Sequence, residues 1–494
     1  FKLKPDSEIS RFGSNELEYG VLRFEELCRE MIQLGFNGFT LADVLHAVGH
    51  EQRGLYPRGN PIRNGLPFFR RLYERVGRIA ADYGMQFYFY ADEITYPEVL
   101  QEKVGRPLRL GDELLWQVLE ERYEELFQRF PAAAGVMIRM GEIYDLSGVA
   151  PLSVWKYADD DEWGRMDRPE RVHRFVARMK EIICNRLGKR LLYRTWDLGP
   201  DRIHSNPAVQ DIVVKDLIDE RFIVLNKCTQ SDYYVGCPAN PSLLRRDGQM
   251  MEIQCKMEHA SMNAVPVYMG QDYQQFLTFA RRKKLRGLWV WPFEGGNASY
   301  LEIPFLKGFA RWTEANIYAI GRLAFEPDAD PWELARDWAE KVYGEAAADT
   351  VVDCMKDGRE AIDLLHYEGE GFPGLTTDRK GLFNPLWRWH TVFMEHAKQV
   401  WENSRDNPDA VRERRKRAVG LYRTIAERFD TILPLVDDRD LALSTQYNLH
   451  HAVALAEVVE TITDLIITYG EWTDDAFSDA MRTQVAGVLE RATE

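Results

Sequence analysis

The chain has 494 residues, 45% of them apolar and 29% charged, enough for a large core and, at ~100–200 residues per domain, for two or three domains. Its 63 Lys and Arg stand against 78 Asp and Glu, a formal charge of -15 with no basic block, which argues against nucleic acid as a partner. No apolar stretch approaches the ~20 residues a bilayer crossing needs, and Phe1 to Ser7 holds no hydrophobic signal core, so the expectation is a soluble, cytoplasmic protein without a membrane partner. Six cysteines lacking any C-x-x-C pair read as reduced thiols rather than a disulfide framework.

From residue 20 to about 300, amphipathic helices alternate with short apolar runs. The spacing predicts helix Phe24–Leu34 before strand Gly38–Leu41, helix Phe68–Tyr83 before strand Met85–Tyr90, and helix Asp112–Phe130 before strand Gly135–Met140. Helix Pro169–Leu187 then feeds strand Lys189–Arg194, and further strands read as Phe222–Asn226, Gln249–Lys256 and Leu285–Trp291. Such repeated βα units build either a closed barrel or an open doubly wound sheet. No G-x-G-x-x-G or G-x-x-x-x-G-K phosphate loop follows any of these strands, which favours a (β/α)8 TIM-type barrel over residues 1–344, with a further strand possible at Phe1–Lys4.

Beyond Gly344 the pattern turns helical and highly charged: Ala347–Leu365, Trp387–Asn403, Asp409–Leu433, Leu441–Tyr469 and Ala476–Thr493. Residues 345–494 are therefore expected to form an all-helical C-terminal domain, a candidate surface for a homodimer.

Reacting groups of barrel enzymes come from the carboxyl ends of the strands. Collecting these gives Asp43, Asp92, Glu93, Glu142, Asp145, Arg194, Trp196, Asp197, Lys227, Asp232, Glu258, His259, Trp291 and Glu294. The set is rich in carboxylates and cations, with no serine elbow. Glu142, Asp232 and Glu258 could flank a sugar ring with the gap of about 6.5–9.5 Å that an inverting glycosidase needs for its water. The bland alternative is that each carboxylate simply pairs with a rim Arg or Lys. Trp155, Trp163, Trp196, Tyr233, Tyr234 and Trp291 are candidate sugar platforms, Trp196 and Tyr233 first, although core packing is the commoner fate of any one aromatic ring.

The stretch Val224-Leu-Asn-Lys-Cys-Thr-Gln-Ser-Asp232, followed by Gln249-Met-Met-Glu-Ile-Gln-Cys-Lys-Met-Glu258, resembles the paired base segments of family 67 glycoside hydrolases, the microbial α-glucuronidases. Trp312-Thr-Glu-Ala-Asn-Ile-Tyr-Ala-Ile-Gly-Arg-Leu-Ala-Phe-Glu-Pro-Asp328 and Leu34-Gly-Phe-Asn-Gly38 are similar to other parts of that family's barrel. The resemblance spans roughly residues 20 to 345. It implies Glu142 as general acid, Asp232 and Glu258 as the carboxylates that activate water, and Arg194 and Lys227 as ligands of a uronic acid carboxylate, with no cofactor. Two strand-end cations independently suit an acidic oligosaccharide. The chain departs from the family at the acid segment, Ile138-Arg-Met-Gly-Glu142, where Ile138 occupies the family's Lys position and the nearest cation, Arg139, is displaced by one. The loop Tyr144–Asp167 also differs, and the β-domain that precedes the family's barrel has no counterpart here.

Two rival readings share the fold. A metal-dependent sugar isomerase would ligate a cation with Glu142, Asp232, Glu258 and His259, and an inactive homologue would bind carbohydrate without cleaving it. His46 and His50 have the i, i+4 spacing of a metal pair, but Gly49 and the missing Glu favour loop hydrogen bonding and no metal.

Overall fold

A computed structural model describes residues 14–42, 44–91, 94–140, 149–152, 154, 159–196, 201–233, 236–244, 248–255, 265–291, 311–367 and 393–472. The suggested strand at Phe1–Lys4 and the helix at Ala476–Thr493 lie outside these residues.

All seven predicted strands form: β1 (Gly38–Ala42), β2 (Gln86–Ala91), β4 (Gly135–Arg139), β6 (Arg190–Arg194), β7 (Phe222–Lys227), β8 (Gln249–Gln254) and β9 (Gly287–Trp291). They pair in parallel in chain order, each with the next. A doubly wound sheet reverses its strand order at a switch point, whereas this one winds in a single direction, as a barrel does. Among the described residues the sheet has seven strands and is not closed by ladder pairing, which corrects the closed eight-stranded expectation to a curled, barrel-like sheet. The curl brings its two edges within reach, with Trp289 Nε1–H of β9 donating to Thr40 Oγ1 of β1 at 3.3 Å.

The helices predicted before the strands also form, with shifted bounds. Helix α1 (Ser14–Gln33) starts ten residues before the expected Phe24. Helix α2 (Pro61–Asp82) starts seven residues before Phe68, because Asn60 caps it: the Asn60 carbonyl Oδ1 accepts from Ile62 N at 2.9 Å, and Pro61 sits in the first turn, where no amide is needed. Helix α3 (Val99–Val104) was not anticipated, α4 (Glu113–Arg129) was, and α5 (Arg168–Lys180) ends in a π-helical turn, Glu181–Arg186. Short α6 (Pro207–Val213) and longer α7 (Gly270–Arg282) follow. A small antiparallel pair, β3 (Thr95–Pro97) with β5 (Val149–Pro151), joins the loops above β2 and β4.

Alternation along the strands sorts two faces. Phe87, Phe89, Val136, Ile138, Leu191, Tyr193, Phe222 and Val224 belong to a large cluster shared with the helices. Tyr88, Tyr90, Met137, Leu192, Ile223 and Leu225 form a separate cluster with Met250 and Trp289 inside the curl. Gly135 permits the β4–β6 contact: a Cβ there would lie 2.0 Å from the Arg190 carbonyl oxygen.

The C-terminal part comprises α8 (Arg311–Phe325), α9 (Pro331–Tyr343), α10 (Glu345–His366), α11 (Phe393–Ser404), α12 (Pro408–Ile432) and α13 (Arg439–Trp472). One buried apolar cluster runs from Met251 and Ile253 of β8 through α7, α8 and α9 into α10, α12 and α13. Polar ties reinforce it. Arg359 of α10 grips Asp272 of α7 with two hydrogen bonds of 3.0 Å, and Asn316 of α8 bonds Met269 N and Val267 O. No helix among the described residues is long and apolar enough to cross a membrane.

Candidate functional site

The carboxyl ends of β6 and β7 and the middle of β8 bring charged residues together inside the curl. Arg194 ends β6, and its guanidinium donates from Nε and Nη2 to the two carboxylate oxygens of Glu252 in β8, each at 2.6 Å. Its Nη1 donates to the Tyr90 hydroxyl of β2 at 3.0 Å. Glu252 is fully buried, and its Oε1 also accepts the Tyr233 hydroxyl at 2.7 Å. Burial and the neighbouring Glu252 push the Tyr233 phenol well above its ordinary pKa, so it keeps the proton it donates.

Lys227 ends β7, directly beside Glu252 in the strand register. Its ammonium pairs with Asp232 Oδ1 and lies 3.3 Å from the centroid of the Trp196 ring and 4.7 Å from that of Tyr233. Desolvated cation–ring contacts of this kind are worth about 2 kcal/mol or more. Asp232 Oδ1 also accepts the Tyr233 backbone N–H at 3.0 Å. With 17% of its side chain exposed against 3% for Lys227, Asp232 is the member of the pair that meets solvent.

The loop carrying Asp232 is braced from below. Thr229 and Ala239 form an antiparallel bridge, Gln230 N donates to Pro238 O, and Asn240 N donates to Cys228 O, the last two at 2.8 Å. His204 packs edge-on against Trp196 at 4.9 Å, and its Nε2 meets the Gln230 carbonyl at 2.9 Å. Burial, then the nearby Lys227, lower its pKa to about 3. A neutral ring donates from Nε2 and leaves Nδ1 to accept the Asn240 amide at 3.2 Å.

Trp291, at the end of β9, stacks on the Arg194 guanidinium at 4.7 Å and neighbours Trp289 and Tyr90. Arg139 of β4 registers with Arg194 and so lies on the inner face, whereas Ile138 belongs to the outer cluster. Counting residues put the family's Lys position at Ile138. The strand alternation instead makes Arg139 the inward cation.

The structure thus gathers Asp232, Lys227, Trp196, Tyr233, Arg194 and Trp291. Lys227 pairs with Asp232, as the ion-pair alternative allows, and Arg194 pairs with Glu252. Glu142 and Glu258, together with Asp43, Asp92, Glu93, Asp145, Trp155, Asp197, Tyr234, His259 and Glu294, lie outside the described residues. Trp163 is a core residue: it stacks on Trp116 at 5.9 Å under the Arg174 guanidinium, leaving it no face for a sugar. His46 is buried against Phe69 at 4.3 Å, with its pKa lowered to about 4 by desolvation, and His50 packs against Tyr56. Among the described residues, no group of three or more His, Cys, Asp or Glu is placed to hold a metal ion. All six cysteines are free and buried, and burial raises the Cys237 thiol beside the site to about 11, away from nucleophilic use.

Sequence reasoning missed Glu252 and Tyr90. A signal existed for Glu252: it is the acid at the centre of Met250–Glu252–Gln254, the inward set of a strand whose neighbours on that face are mostly apolar. Nothing local distinguished Tyr90 from the apolar residues around it.

No family model and no curated relative matches the chain. Solved structures do. A GH138 enzyme targeting pectin rhamnogalacturonan II matches over 100% of this chain at 13% identity and a TM-score of 0.58, and the chain spans 58% of that protein's length. The chain shares its fold with that glycoside hydrolase. Weaker likenesses reach an O-GlcNAc hydrolase from Thermobaculum terrenum (TM-score 0.49, 11% identity, 96% of this chain and 87% of that one) and a GH115 4-O-methyl-α-glucuronidase with specificity for decorated arabinogalactans (TM-score 0.45, 12% identity, 86% of this chain and 51% of that one).

Proposed function

We propose that the protein is an inverting glycoside hydrolase of α-glucuronidase type that releases a uronic acid from an acidic oligosaccharide. The observation that carries this reading is the presentation of Asp232 at the carboxyl end of a parallel, barrel-like sheet, its charge compensated by Lys227 and flanked by the Trp196 and Tyr233 rings. Asp232 takes a proton from water as the water oxygen attacks the anomeric carbon. Glu142, from the sequence resemblance, gives its proton to the departing oxygen, and Glu258 orients the water. Glu252 takes the Nε and Nη2 donors of Arg194, so the uronate carboxylate is assigned to Lys227, with Arg139 and Arg194 on the same inner face.

Proton NMR of the anomer first released from a panel of uronides and matching neutral glycosides tests activity, substrate and stereochemistry together. An inverted uronic acid supports the proposal; a retained anomer, or cleavage restricted to neutral glycosides, overturns it. With Glu142→Gln, kcat should fall about 10²–10⁴-fold for poor leaving groups and far less for an activated aryl uronide. Equal losses would remove Glu142 from the acid role. Lys227→Ala should raise KM for the uronide more than for the neutral glycoside, while a kcat loss common to both reports its contact with Asp232.

A further inference from the structure

We infer that Glu252 is a positioning residue for Asp232, acting through the Tyr233 phenol. The inference deepens the glycosidase reading and rests on it for its kinetic consequences. Glu252 sits in the middle of β8, a rigid element whose outward neighbours Met251 and Ile253 are fixed in the core. Its carboxylate is locked by two 2.6 Å hydrogen bonds from Arg194, so Oε1 is a stationary acceptor. The Tyr233 hydroxyl binds that acceptor at 2.7 Å and ties the β7–β8 connection to the inside of the curl.

Both contacts given above for Asp232 Oδ1 involve groups that touch Tyr233 or belong to it. One is the Tyr233 backbone N–H at 3.0 Å. The other is Lys227, whose ammonium lies against the Tyr233 ring at 4.7 Å. A fixed carboxylate therefore locates a phenol, the phenol locates the backbone of residue 233, and that backbone with Lys227 locates the carboxylate that meets solvent. A buried Arg–Glu pair by itself is poor evidence for stability, since an apolar pair of similar volume often serves as well. The third contact, to a residue covalently next to Asp232, gives this pair a use that an apolar replacement could not supply.

Tyr233→Phe isolates the strut, because it keeps the ring and backbone and removes the hydroxyl alone. Amide hydrogen exchange of Gln230–Tyr233 should accelerate about tenfold while β6 and β8 amides stay protected. On a cleaved glycoside, kcat should fall about tenfold with KM within about twofold. Glu252→Gln keeps an oxygen for the Tyr233 hydroxyl and should retain the loop's protection relative to β6 and β8. Exchange at Gln230–Tyr233 within about twofold of the parent in Tyr233→Phe, or acceleration spread evenly over the sheet, overturns the inference. If the parent protein cleaves no glycoside, the functional reading fails, while the exchange result still decides the strut.

Discussion

Arg194 and Arg415 are both deeply buried, and the partners described for them differ between the two regions that hold them. Arg194, in the sheet, faces the carboxylate of Glu252 and the hydroxyl of Tyr90. Arg415, in α12, donates from Nη1 to the carbonyls of Leu364 and Tyr367 at 2.6 and 2.8 Å and from Nε to Thr463 Oγ1 at 3.3 Å. The bundle thus uses a cation to satisfy carbonyls at the C-terminal end of α10, where the helix dipole is negative and the last acceptors lack partners. In the sheet, strand carbonyls are used by neighbouring strands, and the partners described for Arg194 are an acid and a hydroxyl. That acid has oxygens with capacity for more than one donor and passes its rigidity on to Tyr233. A buried charge seals a helix in one region and connects to a candidate active site in the other.

Stability measurements can break this contrast. Arg194→Met strands Glu252 as an uncompensated buried charge and should cost about 3–5 kcal/mol in urea unfolding. Adding Glu252→Leu should recover most of that loss, since a buried pair replaced by apolar groups is often near neutral. If the double variant is no more stable than Arg194→Met, the acid is not the counter-charge. Arg415→Met leaves helix-end carbonyls without a donor and should cost less, about 1–3 kcal/mol. A loss equal to that of Arg194→Met would erase the distinction between the regions.

A smaller effect is read from pH. His204 lies by Lys227 and His366 by Arg415, and burial first, then these cations, lower both pKa values from 6.5 to about 3. Depressed folded-state values mean the unfolded chain binds the protons first. The stability contribution is fully present above pH 6.5 and is lost as the pH falls from there towards 3. Between pH 7.5 and 5.5 each histidine should account for about 1.4 kcal/mol of lost stability, and His204→Asn or His366→Asn should each remove that share of the decline. An unchanged decline would mean that the histidine is already charged in the fold.

Much of the architecture is legible in the sequence alone. The apolar runs bounded by glycine and charge predicted strands that appear within one or two residues of their expected ends, because burial and alternation act over a few positions. Helix starts were less legible: the helix expected from Phe68 begins at Pro61 under the Asn60 cap and carries Pro67 in its interior. The Lys227–Asp232 pair was also within reach, five residues apart on one strand end. Arg194 with Glu252 was not, since they are separated by 58 positions and meet only because β7 lies between β6 and β8 with one particular register.

The sequence by itself determined the alternation of strands and helices and the kinds of chemical group at the strand ends, because hydrogen bonding and burial along one element obey a short period. Tertiary structure alone decided that Glu252 answers Arg194 and that Arg139 rather than Ile138 turns inward. Such choices depend on the relative registration of strands far apart in the chain, and a shift of one residue would reverse every face.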